Sequence, residues 1–180
     1  MNSDEEIRRM GSELRWSATG AEFVEEAEIT ESETETGRRR RQTMTDVVTE
    51  AMHRGDTVTA RFADTVVTGT VVAVGTDYFS VETPYEVGDL KTDVVALSVS
   101  KQPEGGSSTK PGSMTFKARL AEYEQTGETV GLVLRDGRKW DASQLHVVAA
   151  DHVAIGHEGE PRTYLPLGEI AAAFRSRLSR

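Results

Sequence analysis

Cysteine is absent from the 180 residues of this chain, and its absence removes several kinds of chemistry at once. There is no disulfide framework, no thiolate metal site and no thiol nucleophile. Long apolar runs are also missing, because no stretch approaches the ~20 consecutive apolar residues of a membrane-spanning helix. The polar start from Met1 to Glu6 lacks the basic and apolar regions of a signal peptide. We therefore expect a cytoplasmic protein that does not enter a membrane.

Sequence motifs of common enzymes are missing as well. The chain has no Gly-X-Ser-X-Gly elbow, no phosphate loop ending in Gly-Lys-Ser/Thr and no His-Glu-X-X-His. His146, His152 and His157 fall on adjacent predicted strands, but strand periodicity puts His152 and His157 on opposite faces, which argues against a metal site. We expect a non-enzymatic protein without cofactor or metal.

Positive charge is scarce overall but concentrated in one place. The formal net charge of −9 argues against a general nucleic-acid coat. Seven glutamates occur within residues 22–35, and Arg38, Arg39, Arg40 and Arg41 follow directly after Gly37. Guanidinium groups pair well with phosphates, but these four also have the upstream carboxylates as partners. Both interpretations stay open.

The most informative feature of the sequence is an internal repeat, whose two copies are residues 55–99 and 127–172. Each copy opens with Gly, an acidic residue, Thr and Val, and then alternates apolar and polar positions up to an aspartate, Asp77 or Asp151. The copies stay in step with one two-residue insertion after Asp136, which indicates two copies of a small β unit. Because such a small unit buries too little surface alone, each copy needs a helix or its neighbour.

Apolar spacing before each copy predicts that helix. Residues 40–54 have the pattern of an amphipathic helix ending at Gly55, and Thr115 can cap a second helix before Gly127. A capping box at Ser3 predicts a short helix over residues 4–15. Alternation and turn residues predict five strands in each copy, near residues 57–62, 66–74, 79–81, 87–90 and 94–99, and near 129–135, 138–148, 152–157, 161–165 and 168–173.

These elements predict a mainly β protein with short helices, built from two tandem five-stranded small barrels, each preceded by a helix. The expected organisation is an acidic arm with a short helix (1–37), a first helix-plus-barrel unit (38–100), a flexible linker (101–112), a second unit (113–174) and a basic tail (175–180). We expect two separate barrels rather than one continuous sheet. The predicted core positions are Val47, Val48, Val58, Phe62, Val71, Phe79 and Val81 in the first unit, with Leu120, Val130, Leu134, Leu145, Val153 and Ile155 in the second.

A helix followed by five short strands, with Gly-X-X-Val at the first strand and Gly-(X)-Asp-X-aromatic after the second, resembles the Sm-like family of small β-barrels (SH3-like in shape). The resemblance covers residues 44–99 and 115–173, and the second copy is also similar to the C-terminal barrel of RimP-type ribosome maturation factors. It implies binding of single-stranded RNA through an Asp and an Asn in the loop after strand two and an Arg-Gly pair after strand four. Asp77 and Asp151 match the Asp position. The Asn is replaced by the stretches that begin at Tyr78 and His152, and Lys91-Thr92-Asp93 stands in place of the Arg-Gly pair in the first copy.

Two hypotheses for function follow. The first is binding of single-stranded RNA or a ribonucleoprotein through Arg38, Arg39, Arg40, Arg41, Asp77, Tyr78, Lys91, Asp151 and His152. Tyr78, Tyr85 and Trp140 are either base-stacking faces or barrel plugs in this interpretation. The second is a protein interaction or assembly module that acts through exposed barrel edges without nucleic acid. The same edges predict a homo-oligomer, a dimer or a trimer.

Overall fold

A computed structural model describes residues 36–101, 114–157 and 159–177. The chain divides into two units, residues 1–42 and 43–180, and every strand discussed below belongs to the second unit. The predicted helix over 4–15, the acidic arm up to residue 35 and the linker from residue 102 lie outside the described residues.

Two capped helices precede the two runs of strands. Helix α1 spans Met44–Arg54 and α2 spans Phe116–Thr126. The first begins later than residue 40 because Thr43 caps it: the Thr43 amide donates to Asp46 Oδ2 at 2.8 Å, and the Thr43 hydroxyl accepts from the Asp46 amide at 3.2 Å. Residues 36–41 are helical before this break. Gly55 closes α1 with a φ of 71°, a left-handed conformation that glycine adopts without strain.

The strands form one continuous antiparallel sheet, and the prediction of two separate barrels was wrong in this respect. Along the sheet the ten strands follow the order β5-β1-β2-β3-β4-β10-β6-β7-β8-β9. The coarser prediction, a mainly β protein with short helices, is confirmed. The strands are β1 Thr57–Phe62, β2 Thr65–Val74, β3 Tyr78–Glu82, β4 Glu86–Lys91, β5 Ala96–Ser100, β6 Thr129–Leu134, β7 Lys139–Val148, β8 His152–Gly156, β9 Thr163–Pro166 and β10 Ile170–Ser176.

The sheet consists of two halves, β1 to β5 and β6 to β10, and the strands have the same order within each half. The strand that comes last in each half pairs with the strand that comes first, β5 with β1 and β10 with β6. The long strands β2 and β7 each carry a register shift, between Val71 and Ala73 in one and between Leu145 and Val147 in the other. Such a bulge bends a strand and increases its twist.

Two apolar cores lie on this sheet, one for each helix. The first gathers α1 with β1 to β4 and also includes Val133 of β6 and Ala171 and Ala172 of β10, and the second gathers α2 with β6 to β10. All the predicted core positions are buried except Val47, which is half-buried because its side chain lies beside the buried stripe of α1. Strand β3 contributes to both cores, since Phe79 and Val81 enter the first and Tyr78 enters the second.

Strands β4 and β10 join the halves, which explains the single sheet. Leu90 lies opposite Ala172, and Gly88 lies opposite Phe174. A Cβ atom at position 88 would come within 2.6 Å of Phe174 Cε1, so the glycine makes room for this ring. Arg175 therefore belongs to a central strand, and the expectation of a basic tail from residue 175 was wrong at this point.

Candidate functional site

The loop at Asp77 holds the start of α2. Asp77 Oδ1 accepts a hydrogen bond of 2.7 Å from the Phe116 amide, and the Asp77 carbonyl accepts one of 3.0 Å from the Thr92 amide. A carboxylate at a helix N-terminus satisfies a free amide and complements the helix dipole. Within this structure Asp77 therefore has a structural partner, in contrast with its predicted role as an RNA contact.

The two predicted neighbours of Asp77 pack on the same helix start. Tyr78 is 0% exposed and lies against Phe116, with ring centroids 6.1 Å apart. Of the two alternatives for Tyr78, a base-stacking face and a buried plug, the structure fits the second, because the ring of Tyr78 fills the second core. Lys91 is half-buried, and its Nζ lies 5.9 Å from the centroid of the Phe116 ring, a cation–π contact.

The equivalent loop at Asp151 is open to solvent. The Asp151 side chain is 88% exposed, and its Oδ1 lies 2.7 Å from His152 Nδ1. The hydrogen bond from His152 lowers the pKa of Asp151, and the charges of His152 and Lys117 act in the same direction. His152 packs edge-on against Tyr164 at a centroid distance of 5.6 Å, and Tyr164 is 63% exposed.

The start of α2 lies between these two loops. Phe116 is held at Asp77, while the neighbouring Lys117 Nζ donates to the Ala150 carbonyl at 3.4 Å. The structure thus brings the predicted Asp77 and Asp151 loops to one helix end, where Asp77 is half-buried and Asp151 is exposed. Sequence spacing alone did not predict this proximity, because it depends on the β4 to β10 junction.

A buried polar cluster, which sequence reasoning missed, lies where the halves meet. Asp89 is 0% exposed and accepts hydrogen bonds from Ser80 Oγ at 2.5 Å, from Arg119 Nε at 3.1 Å and from the Tyr123 hydroxyl. These contacts join β3 and β4 of the first half to α2 of the second. Two features of the sequence could have indicated this cluster. Asp89 is a carboxylate inside the apolar strand Val87 to Leu90, and Arg119 and Tyr123 are four residues apart and therefore share one helix face.

Titration of this cluster follows from its burial. Burial raises the pKa of Tyr123, and the adjacent Asp89 carboxylate raises it further. Burial opposes the charge on Arg119, but the attraction of Asp89 and Tyr123 and hydrogen bonds to Glu122 and Asp89 raise its pKa overall. The geometry keeps a neutral tyrosine and a charged arginine around one carboxyl group.

Charged groups elsewhere in the sheet neutralise one another. A cavity of about 510 Å³ at the end of β10 is lined by Glu82, Glu128, Arg175 and Arg177, among others. Arg177 lies 3.4 Å from Glu82, and Arg175 lies 3.8 Å from Glu128. Since each arginine faces a glutamate, this cavity has no excess positive charge for a phosphate.

The predicted arginine run lies in the other unit. Arg38, Arg39, Arg40 and Arg41 are all exposed on the helical residues 36–41. Among the residues that the structure describes, no three His, Cys, Asp or Glu side chains gather as metal ligands. In this same part of the chain, no helix has the length and apolarity to cross a membrane.

The two ends of the sheet present strand edges. Within the described ranges, β5 and β9 each have a neighbour on one side only. Such edges carry backbone amides and carbonyls that can pair with another strand. No protein-family model matches the chain, and the search of curated proteins finds no match either.

Proposed function

We propose that this chain is a non-enzymatic assembly module made of two tandem Sm/SH3-like units, and that it acts by recruiting a strand of a protein partner at the β5 and β9 edges. The equal strand order of the halves and their matching register shifts support the two-unit interpretation. The acidity of the chain also favours a protein partner over nucleic acid.

The pairing of β4 with β10 is the observation that carries this proposal. It joins the two halves of the sheet edge to edge through a ladder that runs from Ala172 opposite Leu90 to Ser176 opposite Glu86. Edge pairing is thus a mode of contact for which these strands have suitable shape and length. Strand addition gives affinity through main-chain hydrogen bonds and specificity through alternate side chains.

Site-specific photo-crosslinking in cells tests the proposal. A photoreactive phenylalanine analogue would replace Val99 on β5, Tyr164 on β9 or, as the control, Tyr85. All three are exposed, but Tyr85 lies in the turn between β3 and β4, away from both edges. We expect discrete protein adducts from positions 99 and 164 and none from position 85. Adducts from none of the three, or equal adducts from all, would contradict edge recruitment.

A second candidate function is RNA binding through the arginine run. The exposure of all four guanidinium side chains at 38–41 favours it. Replacement of the four with glutamine should weaken binding to pooled cellular RNA and reduce its salt dependence, since each phosphate contact on a single strand contributes a slope of about 0.7. Gel-shift titration at two salt concentrations measures both effects. Unchanged affinity and slope would instead assign the run to the acidic segment 22–35, where we expect faster amide exchange in the variant.

A further inference from the structure

A surface groove lies where the β1 to β2 turn of the first half approaches strands β6 and β7 of the second. Its volume is about 510 Å³, and within the described ranges no residue of β5 or β9 lines it. The two halves come close together here, since a Cβ atom at Gly137 would lie 3.1 Å from Ala63 Cβ. We infer that this groove, named the Trp140 groove after one of its lining residues, binds an arginine side chain of a protein partner. Because the groove is separate from the β5 and β9 edges, this site goes beyond the strand recruitment proposed above.

Two aromatic residues line the Trp140 groove. Trp140 of β7 and Phe174 of β10 are both half-buried. The guanidinium carbon of Arg138 already lies 5.8 Å from the centroid of the Trp140 ring. Guanidinium groups are attracted to aromatic faces and stack on them because they are planar and weakly hydrated. Trp140 is thus a ring that attracts a guanidinium group within this structure, and the groove presents it to a partner together with Phe174.

A register shift in β7 brings Trp140 and the next residue, Asp141, to the same groove. Leu132 of β6 lies opposite Trp140, but Val130 lies opposite Ser143, one residue further along than in a regular ladder. Successive side chains of a regular strand point to opposite faces, whereas a bulge re-aims them. The bulge therefore explains how an aromatic ring and the carboxylate beside it in the sequence line one groove.

Negative charge predominates in the lining of the Trp140 groove. Asp64 and Asp141 are exposed, and Glu86 is half-buried. In the part of the chain that the structure describes, none of these three carboxylates has an ion-pair partner, unlike the glutamates in the cavity at the end of β10. Lys139 also lines the groove, so three carboxylates against one ammonium group leave an excess of negative charge. Charge complementarity therefore favours a cationic ligand.

Thr65 favours a cation that has several N–H donors. It lines the groove, and its hydroxyl oxygen is buried without a hydrogen-bond partner among the described residues. A buried polar atom without a partner costs free energy, which a donor from a ligand would recover. A guanidinium group can stack on a ring and at the same time donate to carboxylates and to a hydroxyl. The ammonium group of lysine has no planar face, so arginine fits this groove better than lysine.

Val66 indicates that the arginine belongs to a protein. This apolar side chain lines the groove and is 59% exposed. A free guanidinium compound would leave Val66 in water, whereas the chain on either side of a bound arginine can cover it. Arginine is also one of the residues enriched at protein interfaces. The combination of an acidic aromatic groove and an exposed valine therefore matches an arginine flanked by apolar residues.

An NMR titration of the full chain tests the ligand. The probe is a capped peptide of sequence Gly-Leu-Arg-Leu-Gly, and the reporter is the indole N–H signal of Trp140, assigned with Trp16→Phe. We expect a saturable shift with a Kd of about 1 mM. The citrulline peptide, a neutral isostere, should bind about tenfold more weakly because it loses the cation–π and carboxylate contacts. Equal binding of the citrulline or lysine peptide would contradict arginine recognition, and equal binding of agmatine, which has no peptide chain, would contradict a protein source.

Paired substitutions test the location of the site. Asp64→Asn combined with Asp141→Asn should weaken binding of the arginine peptide at least about threefold, because two groove carboxylates lose their charge. The matched control is Asp93→Asn combined with Asp151→Asn. It makes the same chemical change at two aspartates that are 58% and 88% exposed and do not line the groove, so it should leave the affinity unchanged. Equal affinity of both double variants and the wild type, or no saturable shift at Trp140, would overturn the inference.

Discussion

Asp89 is the residue on which the contact between the halves depends most. Its carboxyl group is fully buried and receives Ser80, Arg119 and Tyr123 at once. Removing one member of a buried charged pair leaves the other uncompensated, which costs about 3 to 5 kcal/mol. We expect a loss of this size for Asp89→Ala in urea unfolding. Asp93→Ala is the control: Asp93 is 58% exposed in its pair with Arg135, so its loss should be no more than about 1 kcal/mol.

Tyr123 gives the cluster a dependence on high pH. Burial beside Asp89 raises its pKa in the folded state above the ordinary value of about 10. A raised pKa means that the stabilisation is fully present below the unfolded-state value and is lost as pH rises through the folded-state value. Unfolding free energies at about pH 8 and about pH 11 should therefore fall more for wild type than for Tyr123→Phe. An equal fall in both proteins would contradict the assignment.

At the scale of the element, the cap of α1 sets where the helix starts. The reciprocal hydrogen bonds of Thr43 and Asp46 end the run of helical residues 36–41 and begin a new helix at Met44. Thr43→Ala should destabilise the protein by about 0.5 to 2 kcal/mol. The Thr43 hydroxyl also donates to Asp46 Oδ2 at 2.7 Å, and this bond, together with the one from the Thr43 amide, lowers the pKa of Asp46. An NMR titration of the variant should therefore show that pKa rising toward its ordinary value. Thr43→Ser, which keeps the hydroxyl, should change neither quantity appreciably.

Element boundaries were largely predictable from sequence, whereas the joins between elements were not. Period-two alternation placed most strands within one or two residues, and Gly55 and Gly127 marked both helix ends, because these signals depend on local geometry. Alternation does not state which strand edges meet, so the β4 to β10 junction was missed. The contacts of Asp77 and Tyr78 with Phe116 were missed for the same reason, because Phe116 belongs to α2 of the other half.

At the scale of the whole second unit, one continuous sheet predicts that the two cores unfold together. Phe79 is fully buried in the first core, and Phe79→Ala should cost about 3 to 5 kcal/mol. Trp140 packs against the second core and reports on it by fluorescence once the other tryptophan is removed as Trp16→Phe. Because β3 and β4 have residues in both environments, loss of the first core also removes support for Tyr78 and the Asp89 cluster. We therefore expect Phe79→Ala to lower the urea midpoint detected at Trp140, while the exposed control Val66→Ala leaves it unchanged. If Phe79→Ala leaves the urea midpoint detected at Trp140 unchanged, the two halves fold independently in spite of their shared sheet.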